Sequence, residues 1–179
     1  VFVFSDRSVT RRRLEIQGFI GLNDKAITTY GPWLRLAYAL CTTLAIIGVV
    51  KAQTTILWIL FPIAVLGAIL PFHPFDLIYN LGIRRITGTG PLPRRGAPSR
   101  FACGLGAVLV FSTVVAFETG HMVTGYIVGG AVIFSGTLVS TTDICIPSLI
   151  YRIIFGFQPK TEGRISDVTE IPARKQEAL

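Results

Sequence analysis

With 179 residues the chain has the length of one domain, and at 51% hydrophobic, 15% charged and a mean hydropathy of +0.60 it is more apolar and less charged than a soluble globular domain. Its formal charge of +7 does not make a nucleic-acid surface, because the basic residues fall between apolar runs, where they act as topology signals and headgroup contacts. Cys41, Cys103 and Cys145 are far apart and form no CxxC or Cys/His pattern, so they give no disulfide framework and read as small apolar packing residues.

Residues 1–30 are expected to form a cytoplasmic arm. Val1 to Thr10 alternates like an extended segment. Arg11, Arg12 and Arg13 follow, but Glu15, Gln17, Asn23, Asp24 and Lys25 interrupt the apolar run that a twin-arginine export signal requires. Leu14, Ile16, Phe19, Ile20 and Leu22 make the apolar edge of a short surface helix with the three arginines at the headgroups; a solvated tail is the alternative.

Residues 31–157 are expected to form the membrane domain. A first span over 33–50 starts at Gly31-Pro32-Trp33, with the proline in the first helical turn, Tyr30 and Trp33 at the interface, and Arg35 snorkelling to the near surface. After Lys51-Ala52-Gln53 a second span runs over 54–72 without a charge and is kinked at Pro62. A third span covers 101–117, Glu118 to His121 turns the chain, and a fourth covers 122–142. Each is long enough for a bilayer core of roughly 30 Å. Pro147 breaks the stretch over 143–157, which becomes an interfacial segment, and 158–179 is a charged, soluble cytoplasmic tail.

Arg and Lys number six up to the start of the first span, five in the loop over 73–100 and five from Arg152 onward, with only Lys51 on the other side. The positive-inside rule therefore predicts an all-α membrane protein of four transmembrane helices in two hairpins, with cytoplasmic interfacial helices and both termini in the cytoplasm. A faint internal echo accompanies this. Leu77-Ile78-Tyr79 follows Asp76, and Leu149-Ile150-Tyr151 follows Asp143, as in two copies of a hairpin unit about an axis along the membrane normal.

Candidate chemistry is sparse. Small residues recur at four-residue spacing at Ala37, Cys41 and Ala45, at Ala64 and Ala68, at Gly125 and Gly129, and at Gly136 and Ser140. They let helices approach within the bundle or against another protein's helix. No ionisable group lies in the middle of a span, which argues against transport. His73 and His121 fall at opposite faces, which excludes a bis-histidine haem in one protomer. His73 with Asp76 is a weak metal candidate lacking a third ligand. The Thr87-Gly-Thr-Gly turn lacks the Gly-Lys-Ser/Thr of a phosphate loop. In the central loop Arg84 and Arg85 are expected to reach lipid phosphates while Arg94, Arg95 and Arg100 anchor the third span, so these five and Arg11, Arg12 and Arg13 are the expected contacts to anionic lipids or a partner. No catalytic residue and no cofactor is predicted, with bound lipid, quinone or pigment permitted but not indicated.

HPFDLIYNLGIRRITGTGPLP, RRGAPSRFACG and STTDICIPSLIYR together resemble a bacterial integral-membrane family known only as a domain of unknown function. The resemblance covers about His73 to Gly156, with Gly90 standing where a second proline is expected. It implies membrane location and a bacterial source and carries no active-site residue. The expected function is a non-enzymatic accessory or structural subunit of a larger membrane complex, an energy-converting one, photosynthetic or respiratory, being the natural host. Its rivals are a small transporter or redox partner using the three cysteines and two histidines, and an enzyme with its site at the cytoplasmic layer of His73, Asp76 and Asp143.

Overall fold

The computed structural model describes residues 7–19, 24–87 and 90–156, and the described residues contain helices and no strand. The expected soluble tail over 158–179 lies outside them. In chain order the helices are α1 (Arg7–Ile16), α2 (Asp24–Val50), α3 (Thr54–Ile69), α4 (Asp76–Ile78), a π-helical turn (Tyr79–Ile83), α5 (Arg84–Thr87), α6 (Ala97–Glu118), α7 (Met122–Thr142) and α8 (Ile146–Phe155).

Helices α2 and α3 form one hairpin and α6 and α7 the other. Between them α3 packs on α6 and α2 on α7, so α2 and α6 face each other across the bundle. Among the described residues three helices are long and apolar enough to cross a membrane, over Ile27–Val50, Ala97–Glu118 and Met122–Thr142. α3 is apolar throughout but spans only 16 residues, about 24 Å of helix. It stops before the expected 72 because Pro71 disfavours helical geometry at Leu70, which is extended (φ −79°, ψ 150°). Large apolar side chains point outward along the bundle, among them Ile47, Ile59, Val108, Ile127 and Phe134. So much exposed apolar surface suits lipid rather than water.

Three expected boundaries change. α2 begins at Asp24, so Pro32 lies well inside it. Its ring faces solvent or lipid, the side on which a helix bends most easily away from a lost hydrogen bond. Residues 7–10 of the expected extended arm are helical. Pro147 occupies the first turn of α8, where its missing N–H costs nothing, and so starts a helix instead of breaking one.

The two tight turns, 51–53 and 119–121, share one end of the bundle, where the Trp58 indole N–H donates to Glu118 Oε1 at 2.8 Å. That half is packed by Ala45, Val49, Leu57, Leu60, Val110, Val114 and Phe117. Gly125 lies against the Phe117 ring and Gly129 against Val49 and Thr113, closer than any Cβ would allow. The opposite end carries α1, α4, α5, α8 and the long connection. A second cluster there joins Leu14, Phe19, Ile27, Leu34, Tyr79 and Leu92. Through it the N-terminal segment is docked, not a solvated tail. The docking is close enough that Gly18, at φ +95°, and Gly96 touch backbone to backbone.

Candidate functional site

Two ion pairs organise the layer at this end, and each crosses from one hairpin to the other. Asp76, just after the first hairpin, accepts from Arg95, just before the second, through Nε at 2.8 Å and Nη2 at 2.9 Å. Both side chains are buried, Arg95 at 0% and Asp76 at 2% exposure. Asp143, just after the second hairpin, accepts from Arg35 on α2 through Nε at 2.7 Å and through Nη2. The internal echo thus has a physical counterpart, since each half's acid is held by the other half's arginine. Forked arginine–carboxylate pairs fix orientation as well as charge.

Local geometry delivers each partner. Asp143 caps α7 in the left-handed conformation (φ 59°), which Asp tolerates better than most residues. This releases its carbonyl to accept from Gln17 Nε2 at 2.7 Å. Arg13 Nη1 donates to the Thr142 carbonyl at 2.8 Å, and Arg152 donates to the Glu15 and Ile16 carbonyls. On the other side Asp76 Oδ2 also accepts the His73 backbone N–H at 2.9 Å, and the Arg95 backbone N–H reaches the Pro71 carbonyl at 2.9 Å. The Arg95 guanidinium lies 4.9 Å over the Tyr38 ring, a cation–π contact. Its Nη1 is buried without an acceptor among the described residues.

Beneath this layer, between the hairpins, is a cavity of about 120 Å³. All four long helices line it: Tyr38, Cys41 and Thr42 from α2, Leu60 and Ala64 from α3, Ala102, Cys103 and Gly106 from α6, Ser135, Gly136 and Val139 from α7, with His73, Cys145 and Pro147 closing the layer end. The three cysteines, distant in sequence, therefore meet at one chamber, and all are free thiols. His73 is nearly buried beside them. Its Nδ1 takes the Phe75 backbone N–H at 3.3 Å, so Nε2 carries the proton and donates to Cys41 Sγ at 3.7 Å. Burial, together with the Arg95 cation and only partly offset by Asp76, pulls the His73 imidazole down to about 4, so it is neutral at pH 7. Burial likewise pushes the Cys145 thiol up. Gly67 makes the crowding possible: a Cβ there would lie 3.2 Å from His73 Nε2 and 3.3 Å from Cys103 Sγ.

Other candidates are placed as follows. Arg95 does not anchor at the surface but is drawn inward by Asp76. Arg100 donates to the Ala68 and Ile69 carbonyls, ending α3. Arg11, Arg12, Arg84, Arg85 and Arg94 are exposed, with Arg94 over the Phe72 ring. His73 and Asp76 are adjacent but not arranged as metal ligands: the carboxylate is taken by Arg95, and the imidazole presents N–H, not a lone pair, to the chamber. Among the described residues no three His, Cys, Asp or Glu side chains could hold one metal ion. His121 sits at the far end against Thr119 Oγ1. Ala64 lines the chamber, Ala68 faces Gly104, Gly136 packs on Thr42 Oγ1, and Ser140 Oγ donates to the Thr137 carbonyl. The crossed ion pairs escaped sequence reading, although the acid before each Leu-Ile-Tyr was their signal.

No curated protein and no solved structure matches this chain. A family match covers residues 32–155, beginning earlier than the motifs at His73 and taking in α2 from Pro32 onward, all of α3, α6 and α7, both ion pairs and every residue of the chamber. The chain belongs to the DUF4395 family, a domain of unknown function.

Proposed function

We propose that this chain is a four-span protein of the bacterial cytoplasmic membrane, with the ion-pair layer and both termini on the cytoplasmic side, and that it acts as a carrier-type protein for a small ligand held in the chamber between its hairpins. The observation that carries the reading is the convergence of Cys41, Cys103, Cys145 and His73 on one cavity. Cavities at the interface of two related halves are where membrane carriers place their cargo. The spacing of basic residues supports the orientation, and exposed Leu77, Leu81 and Ile86 beside Arg84 and Arg85 support an interfacial layer on anionic lipid. α3 completes a fourth crossing together with Leu70, which is extended beyond its last turn, and the residues that follow it.

Thiol labelling in native membranes tests the chamber. Small, uncharged methyl methanethiosulfonate is expected to modify Cys41 and Cys103, whereas a bulky maleimide is excluded until the protein is denatured, as read by mass spectrometry. If neither reagent enters the folded protein, the chamber is a sealed packing void. The accessory subunit of a larger complex, respiratory or photosynthetic, then becomes the better account.

A further inference from the structure

We propose that the chamber binds one soft monovalent metal ion, of the Cu(I) or Ag(I) type, between the thiolates of Cys41 and Cys103, with the His73 Nε2–H donating to the Cys41 sulfur. The inference rests on the carrier reading above and names its cargo class.

Geometry comes first. Cys41 and Cys103 project from α2 and α6, the helices that face each other across the bundle. His73 Nε2 stands 3.7 Å from the Cys41 sulfur, and His73 and the Cys103 sulfur both crowd the space that a Cβ on Gly67 would take. Divalent ions such as zinc require about four ligands, and no group of three candidate ligands is present among the described residues. A monovalent soft ion is satisfied by two opposed sulfurs. Hard ions are disfavoured further because both nearby carboxylates, Asp76 and Asp143, are occupied by arginines, and thiolate sulfur selects Cu(I) over oxygen-seeking cations.

Charge comes second. Binding breaks two S–H bonds and forms two metal–sulfur bonds, releasing two protons to water. Two thiolates and one monovalent cation leave a single negative charge in an apolar cavity, which would be costly alone. Arg95 is within electrostatic reach of both sulfurs, and its buried Nη1 lacks an acceptor among the described residues. The His73 N–H adds a donor to a charged sulfur, the kind of supporting contact that tunes metal-bound thiolates.

Purified protein in detergent, titrated with Ag(I) under anaerobic, chloride-free conditions, provides the test. The expected result is one Ag(I) retained per chain after desalting, two protons released, and a new ultraviolet thiolate-to-metal band. Affinity should fall at least tenfold in Cys41→Ser and in Cys103→Ser and stay unchanged in Cys145→Ser. Gly106→Leu, which fills the chamber without touching a thiol, should also abolish retention and guards against misfolded serine variants. Retention that survives in the Cys41→Ser/Cys103→Ser double variant, or that moves to Cys145, overturns the assignment. If the small methanethiosulfonate enters the wild-type chamber but Ag(I) is not retained, the metal inference fails and the carrier reading stands. If neither enters, both fail.

Discussion

The two halves of this bundle are held together by different physics. At the turn end, Val49, Leu57, Val110, Val114 and Phe117 pack between the helices, and Gly125 and Gly129 sit directly against the Phe117 ring and the Val49 side chain. At the layer end the helices are tied by Arg35–Asp143, Arg95–Asp76 and the Tyr38–Ser99 hydrogen bond, and a chamber stays open beneath the ties. Dispersion and close packing need filled volume, whereas ion pairs fix distance and leave volume free. A site is affordable only in the second half.

The largest expected break of this contrast is Asp76→Ala. It leaves the Arg95 charge buried without its partner, which costs about 3–5 kcal/mol and should appear as a large drop in apparent Tm in detergent. Asp76→Ala/Arg95→Met removes the stranded charge and should recover much of the loss. A comparable loss in the double variant would mean that the layer depends on something other than this pair.

Acid should weaken the layer end selectively. His73, facing Asp76, Arg95, Cys41 and Cys103, stays neutral in the native protein down to about 4, while in the unfolded chain it takes a proton near 6.5. Between those values the unfolded state binds more protons, so the stabilisation is complete above pH 6.5 and is lost as pH falls toward 4. The full span is worth about 3 kcal/mol. His73→Gln should flatten the pH dependence of apparent Tm across this window, and an unchanged slope would point to other groups.

At the turn end the expected effects are smaller and do not depend on pH. Gly129→Ala places a Cβ 2.6 Å from a Val49 methyl, and the overpacking costs about 1–3 kcal/mol. Gly106 is the counterpart in the other half. It lines the chamber, and a Cβ there meets nothing within 4 Å. Gly106→Leu should leave the stability within about 0.5 kcal/mol of the parent while protecting Cys41 and Cys103 from small thiol reagents. If Gly106→Leu proved as damaging as Gly129→Ala, the two halves would be equally filled and the contrast would fail.

Much of this layout is legible in the sequence, and what is not has a physical reason. Long apolar runs between Lys51, Glu118 and the arginine clusters announce helices, because hydropathy acts locally. Helix ends are less legible. Pro32 reads as a helix start but lies inside α2, whereas Pro147 reads as a break but opens α8. Arg95 read as a headgroup anchor because a charge beside a span ordinarily seeks water; the buried carboxylate that reverses this lies 19 residues away in sequence. The cysteines read as packing residues because they reach their common cavity from three separate segments. Periodicity within one helix carries no information about which other helix its residues face.

Native mass spectrometry of protein extracted gently from its own membranes tests the central claim, that the chamber is built to hold a ligand, most directly. The account predicts an adduct on the wild-type chain that is lost in Gly106→Leu; for a monovalent metal ion, the shift in neutral mass is that of the ion less one proton. The bare chain mass in both proteins, with the chamber thiols unmodified and unreactive in the folded state, would contradict it.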